Sequence, residues 1–326
     1  MLKQTTTILQ KLAATPTWSD IVATHEAIAP MIHCTPVLQS TSINAIAGAQ
    51  LFFKCENFQK IGAFKMRGAS SAALRLSKVE LDRGLATHSS GNHAQAVARS
   101  AQYLGVPAYI VMPSNAPKIK EKATRGYGAE VIHCAPTLAA RETTLQAVVA
   151  EKGATFIHPY DNYDVIAGQA TAAKELIEEV GELDIVMAPI GGGGLMSGTA
   201  LATRALLPHA KVYGAEPKEV DDAYQSFKAG KIINNTTINT IADGLRTNLG
   251  PKTFEVISKQ VDDIFTVEES TIIEAMRMTW ERMKIIIEPS CAVPLAAVLT
   301  YPEQFAGKRV GIIVTGGNVD LEQLPF

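Results

Sequence analysis

The chain has 326 residues, 47% of them hydrophobic and 19% charged, with a formal net charge of −2. That balance suits a folded globular protein and excludes a disordered one. At roughly 150 residues per domain the length suggests two domains, and the absence of a Lys/Arg run leaves no electrostatic case for DNA, RNA or an anionic membrane as partner.

The four cysteines, Cys34, Cys55, Cys134 and Cys291, form no C-x-x-C pair. A reducing compartment is therefore the default. No stretch near the N-terminus is apolar enough for a signal-peptide core, and no window approaches the ~18 consecutive apolar residues of a membrane span. The sequence reads as cytoplasmic.

One pattern recurs along the chain. A short apolar run ends at Gly, Ser, Pro or Asn, and an Ala-rich helical stretch follows. The run 51–54 (LFFK) precedes a predicted helix over 64–76. The run 85–88 (LATH) leads through Ser89–Ser90–Gly91–Asn92 into a helix over 94–103. The run 108–112 (AYIVM) leads to a basic helix near 118–124. The runs 130–133, 155–158, 184–190, 211–214 and 309–315 follow the same logic. Strands alternating with helices of this length predict an α/β fold with parallel sheets covered by helices. The stretch 228–240 reads as loop and irregular turn. In open α/β sheets ligands bind beyond the carboxyl ends of the strands, and four clusters sit there.

Gly191–Gly192–Gly193–Gly194 follows the run DIVMAPI. Such a run lets backbone N–H groups converge at a helix N-terminus, which suits a phosphate; the alternative is a tight turn with close helix–sheet packing. Ser89–Ser90–Gly91–Asn92–His93 suits a carboxylate, or simply caps a helix. Gly62–Ala63–Phe64–Lys65–Met66–Arg67–Gly68 carries a lysine between apolar neighbours. A lone lysine at a helix start is ordinarily a solvated surface charge, but one drawn into an apolar site loses pKa and becomes a nucleophile. Thr315–Gly316–Gly317–Asn318 ends the last run, as a plain turn or as a hydroxyl presented to a ligand ring.

Together these clusters resemble the serine/threonine dehydratases and serine racemases, including hydroxyaspartate dehydratase-like members, of the fold type II pyridoxal-phosphate family. The resemblance runs from about residue 18 to 321. Ile166–Ala167–Gly168–Gln169, Ile241–Ala242–Asp243–Gly244 and Ile287–Glu288–Pro289–Ser290 match as well.

The resemblance implies a two-lobed fold, tryptophan synthase β-like. A large cofactor-binding part comprises 1–83 and 162–326, and a small mobile lobe comprises 84–161. It implies that Lys65 carries pyridoxal phosphate and that Phe64 packs against its ring. Asn92 meets the ring hydroxyl, and Gly191–Gly194 with Leu195 hold the phosphate. Thr315 faces the ring nitrogen, with Glu288 and Asn318 in the same pocket. A neutral hydroxyl at Thr315 makes the cofactor a weaker electron sink than an aspartate would, which favours prompt loss of a β-leaving group.

The implied reaction removes water and ammonia from a small hydroxy amino acid such as L-serine, L-threonine or hydroxyaspartate, with Lys65 as the base. Ser89, Asn92 and His93 would bind the substrate carboxylate, with Ser90 beside them at the substrate. Ser90 matches the second acid/base of the racemases, or merely caps a helix. Arg141 matches a racemase arginine that contacts substrate, or is a solvated helix arginine.

In metal-dependent members, residues at the positions of Glu216 and Asp222, with a backbone carbonyl here assigned to Val220, bind Mg²⁺ or Ca²⁺; hard oxygen ligands suit such ions. The alternative is a pair of solvated carboxylates. Lys60 and Tyr127 match a nucleotide site of some racemases, but Ile61 departs from it, and ATP activation is not expected. Ala94, Ala170 and Tyr160 also depart from the usual residues. A homodimer is expected from the resemblance. The rivals are a β-replacement enzyme and a non-catalytic binding protein.

Overall fold

The computed structural model describes residues 9–116 and 118–326. Among these residues ten strands form two sheets. The larger takes β1 (Val37–Leu38), β2 (Gln50–Cys55), β7 (Ile185–Pro189), β8 (Lys211–Pro217), β9 (Asp263–Val267) and β10 (Arg309–Val314) in the order β1-β2-β10-β7-β8-β9. Only β1 runs antiparallel, against β2. The smaller sheet is wholly parallel, in the order β5-β4-β3-β6, from β3 (Leu85–His88), β4 (Ala108–Pro113), β5 (Glu130–Cys134) and β6 (Thr155–Phe156).

The central strands are near-continuous buried apolar runs, as both covered faces of a parallel sheet require. β7 is buried at every residue, and β10 at all but its first. Two apolar cores flank the larger sheet. One holds Leu51, Met187 and Val298; the other holds Val186, Leu195 and Ile313. Each fully buried Leu, Ile or Val side chain contributes about 1.5–3 kcal/mol.

A third core joins Val97, Ile110 and Val131 around the smaller sheet to Ile28, Met31, Met66 and Ala69 from earlier in the chain. The helix Lys65–Ala73 is therefore shared: it packs on the helix Asn92–Leu104 as well as on the helix Tyr163–Val180. Small residues bring the latter close to its neighbours. A Cβ at Gly168 would lie 2.5 Å from the Arg67 carbonyl, and one at Gly198 would lie 2.5 Å from the Ala170 nitrogen.

Three boundaries differ from expectation. The first helix after the lysine motif ends at Ala73, with Leu74 as its cap. β6 stops at Phe156, because the His158 ring accepts the amide N–H groups of Tyr160 and Asp161 and turns the chain. β8 runs on to Pro217, which places Glu216 inside a buried strand rather than after it. Edge strands β1 and β9 lacked the sequence signal. One has two residues, and the other, in a stretch rich in aspartate, is buried at only two of its five positions.

Candidate active site

Two helix N-termini that follow strands of the two sheets have no side-chain cap. The helix Asn92–Leu104 begins after Gly91. Ser89 Oγ accepts the Gly91 amide at 3.2 Å and so stays outside the helix. The capping alternative for this cluster therefore fails. The helix Gly194–Leu206 begins after Gly193, whose φ of +84° is in the left-handed region that glycine adopts without strain. The amide N–H groups of Gly191, Gly192, Gly193 and Gly194 meet no acceptor among the described residues. Buried amides of this kind call for a partner, and a phosphate supplies one. Close packing is present too: the Tyr160 ring and backbone lie against Gly192 and Gly194, leaving no room for side chains there. Leu195 is buried behind the run.

Lys65 lies between these two termini. Its Nζ donates to the Pro159 carbonyl at 2.8 Å and sits 5.1 Å from the centre of the Phe64 ring. Desolvation lowers its pKa to about 8, with the charge of Glu288 working the other way; burial in an apolar site disfavours the charged amine. The surface-lysine alternative does not describe this residue.

Two residues after the lysine, Arg67 anchors the same helix. That fully buried guanidinium bonds Glu56 at 2.7 and 2.8 Å, Glu175 at 2.7 Å twice, and Thr171 at 3.0 Å. Lys54 pairs with the same Glu175 at 2.7 Å, so two buried cations balance two carboxylates. Ahead of the lysine, Ile61 adopts φ +63°, which is costly for a β-branched residue; its carbonyl accepts from Asn318 at 2.7 Å.

Asn92, Glu288 and Asn318 form a chain. The Asn92 amide donates to Glu288 at 2.9 Å, and its carbonyl oxygen accepts from Asn318 at 2.8 Å. Burial and the neighbouring Asp243 raise the Glu288 pKa to about 7. Thr315 is buried at the end of β10; its carbonyl accepts the Phe64 amide at 2.9 Å, which ties it to the lysine segment. Sequence reasoning missed Cys291, whose Sγ lies 3.0 Å from Thr315 Oγ1. Its signal was the i, i+3 spacing from Glu288 at a helix start.

The His93 ring donates from Nε2 to the Ile157 carbonyl at 2.9 Å, and burial lowers its pKa to about 3. Its remaining nitrogen, Nδ1, is a buried acceptor without a partner. A neutral ring so placed cannot donate to a carboxylate, so any contribution to binding one comes from the backbone amide. Ser90 makes no hydrogen bond among the described residues and is half-buried. Arg141 is not brought into the group: its Nε reaches the Thr137 carbonyl of its own helix at 3.4 Å, and its charge is felt by His88, the residue before Ser89. Lys120 crosses the cleft to Asp243 at 2.7 Å, beside Gly91.

Glu216 and Asp222 are buried. Glu216 accepts the amides of Ala223 and Tyr224 at 3.3 and 2.8 Å. Asp222 accepts from Asn235 at 2.7 Å and from the Leu249 amide at 2.8 Å. Burial raises both pKa values, that of Asp222 to about 6, and the charge of Asp222 adds to the effect on Glu216. The solvated-surface alternative for this pair fails. Val220 is buried beside them. Among the described residues, no three His, Cys, Asp or Glu side chains gather as a metal cluster.

Comparison with known proteins fits this geometry. A family model described as "Pyridoxal-phosphate dependent enzyme" matches residues 28–316. A beta-hydroxyaspartate dehydratase of Paracoccus denitrificans is 50% identical over 311 residues, covering 95% of this chain and 99% of that protein. A serine racemase of Dictyostelium discoideum is 48% identical over 315 residues, covering 95% and 97%. The crystal structure of that racemase superposes with a TM-score of 0.90 over 94% of this chain and 100% of its own. A threonine deaminase of T.th., 43% identical, also superposes at 0.90, over 94% and 99%. The chain belongs to the pyridoxal-phosphate dependent enzyme family.

Proposed function

We propose that the chain is a pyridoxal-phosphate-dependent ammonia-lyase, converting a small 3-hydroxy amino acid to a 2-keto acid and ammonia. The observation that carries this reading is Lys65: an amine with a lowered pKa, enclosed between two uncapped helix N-termini. Relatives named for hydroxyaspartate dehydration, threonine deamination and serine racemisation support the substrate class.

The residues fit the cofactor. Lys65 would hold it covalently and Gly191–Gly194 with Leu195 its phosphate. Phe64, Asn92, Glu288, Thr315 and Asn318 would surround its ring. When bound, the cofactor supplies an electron sink that acidifies the Cα–H of an attached amino acid. The chain does the rest. With the cofactor bound, the neutral amine of Lys65 would take the Cα proton as general base. The backbone amides at the start of the helix Asn92–Leu104, with the Ser89 hydroxyl, hold the carboxylate. Residues 84–161 act as a small lobe closing over 1–83 and 162–326, which excludes water. Lys120–Asp243 and Asn92–Glu288 are the contacts that support closure.

Racemisation is the second reading. The Ser90 hydroxyl has no partner among the described residues and is free to move a proton on the face opposite Lys65. Arg141 would join the substrate only after movement of its helix.

Glu216, the Val220 carbonyl and Asp222 are proposed to hold Mg²⁺ or Ca²⁺. Support comes from the donor set: two buried carboxylates with raised pKa values, which a hard dication would stabilise in the charged form. A cytoplasmic homodimer belongs to the same reading; four cysteines that are all free thiols support a reducing compartment. No described helix is long and apolar enough to cross a membrane.

The test is a panel of 3-hydroxy amino acids of both configurations, assayed for keto acid with and without EDTA. Keto acid from at least one substrate is expected. None from any, with cofactor bound, would overturn the reading.

A further inference from the structure

The ring-nitrogen end of the cofactor pocket contains a group that no family motif assigns. Cys291 lies in the helix Pro289–Thr300, one turn past Glu288, and is buried. Its Sγ has three polar neighbours: Thr315 Oγ1 at 3.0 Å, the Gly316 carbonyl at 2.7 Å and the Gly316 amide nitrogen at 2.9 Å. The amide can only donate, so it occupies a sulfur lone pair. The Gly316 carbonyl also accepts the Glu288 amide at 3.0 Å, and its second lone pair competes with Thr315 Oγ1 for the S–H. The thiol stays protonated, because burial and the Glu288 charge push its pKa up. One S–H is therefore always present, with Thr315 Oγ1 within its reach.

A threonine hydroxyl has one proton and two lone pairs. If Oγ1 accepts from the thiol, its own proton is left to point away from the sulfur. If instead Oγ1 donates to the sulfur, only a lone pair is left for a ligand. The sulfur contact thus decides whether Thr315 meets a ring nitrogen as donor or as acceptor. The backbone of Thr315 is fixed independently, through the Phe64 amide and the bridge between Ala63 and Gly316. The side-chain torsion is what remains to be set.

We propose that Cys291 is a positioning residue whose thiol donates to Thr315 Oγ1 and so holds the Thr315 hydroxyl as a hydrogen-bond donor toward the cofactor's ring nitrogen. This rests on the reading that Thr315 faces that nitrogen. Cys291 touches neither substrate nor cofactor; it acts through Thr315. Serine at 291 would preserve the donor, and alanine would remove it.

The experiment titrates apoenzyme with pyridoxal phosphate by visible absorbance for wild type, Cys291→Ala, Cys291→Ser, Thr315→Ala and the double variant Cys291→Ala/Thr315→Ala. Apoenzyme melting is recorded in parallel. Loss of one oriented hydrogen bond should weaken cofactor binding about fivefold in Cys291→Ala and shift the pH at which the visible band changes. Cys291→Ser should bind within about twofold of wild type, a tolerance well below that loss. The double variant should bind no more weakly than Thr315→Ala alone, the sign of a shared interaction. Thr315→Ala without effect would overturn the placement of Thr315, and the proposal with it. An effective Thr315→Ala with a silent Cys291→Ala would overturn the proposal alone. So would equal losses in Cys291→Ala and Cys291→Ser, or additive losses in the double variant, since both describe packing rather than a donated proton.

Discussion

Lys65 Nζ donates to the carbonyl of Pro159 at 2.8 Å, and Tyr160, the next residue, rests on Gly192 and Gly194. The proposed covalent anchor and the proposed phosphate cup are thus bridged by the short segment that leaves β6. Replacing Lys65 with alanine should abolish both the visible band of bound cofactor and turnover. The expected loss is at least about 10³-fold, since a general base alone contributes roughly 10²–10⁴. Keto-acid release followed at wild-type rate would sink the assignment.

Capture of cofactor by the apoenzyme should depend on pH through the same amine. Its pKa is lowered to about 8, so the neutral fraction rises from about a tenth at pH 7 to about nine tenths at pH 9. The second-order rate of band formation should climb over that range and level off above it. A rate still rising tenfold per unit beyond pH 9 would indicate an ordinary solvated lysine.

Ser90→Ala should spare elimination of L-serine and remove racemisation. Chiral chromatography of the residual serine is the measurement. Unchanged D-serine formation in the variant would exclude Ser90 as a proton carrier.

Mg²⁺ or Ca²⁺ should raise the melting temperature, and EDTA should lower it. Binding to the folded state alone adds about 2.7 kcal/mol at a hundred times Kd. Glu216→Gln should retain the fold and lose the response to added metal. A response of wild-type size in that variant would place the ion elsewhere.

Arg67→Met should leave Glu56 and Glu175 as buried carboxylates without their shared cation. Breaking a buried pair in this way should destabilise the protein by about 3–5 kcal/mol. Urea denaturation of the apoenzyme measures it. A loss below about 1 kcal/mol, the scale of an exposed pair, would mean the cluster is solvated.

The alternating runs marked eight of the ten strands, most plainly the central ones, which carry their burial in composition. β1 and β9, at the edges of the larger sheet, had no apolar run to mark them. The glycine run and the lysine motif were legible as unusual local chemistry. What the chain order hid was company. Near position 291 the i, i+3 spacing puts the thiol on the side of Glu288 but does not signal that it meets Thr315, and nothing near 159 signals that its carbonyl receives Lys65. Sequence also offered His93 as a carboxylate ligand, whereas its Nε2–H is already engaged by Ile157 and the ring is neutral. Glu216 and Asp222 read as residues beyond a strand, and burial, of Glu216 inside β8 and of Asp222 at the start of the helix Asp222–Ala229, raises their pKa values.

The third apolar core spans the chain from Ile28 to Val165, and Met66 and Ala69 lie in it with Val97, Ile110 and Met112. A gene fragment encoding 84–161 alone would leave that core open on one side and expose the apolar faces of its own helices to water. The proposed small lobe is therefore not expected to fold apart from the helix Lys65–Ala73. Weakening a contact of that helix should be felt by the helices Asn92–Leu104 and Tyr163–Val180 together.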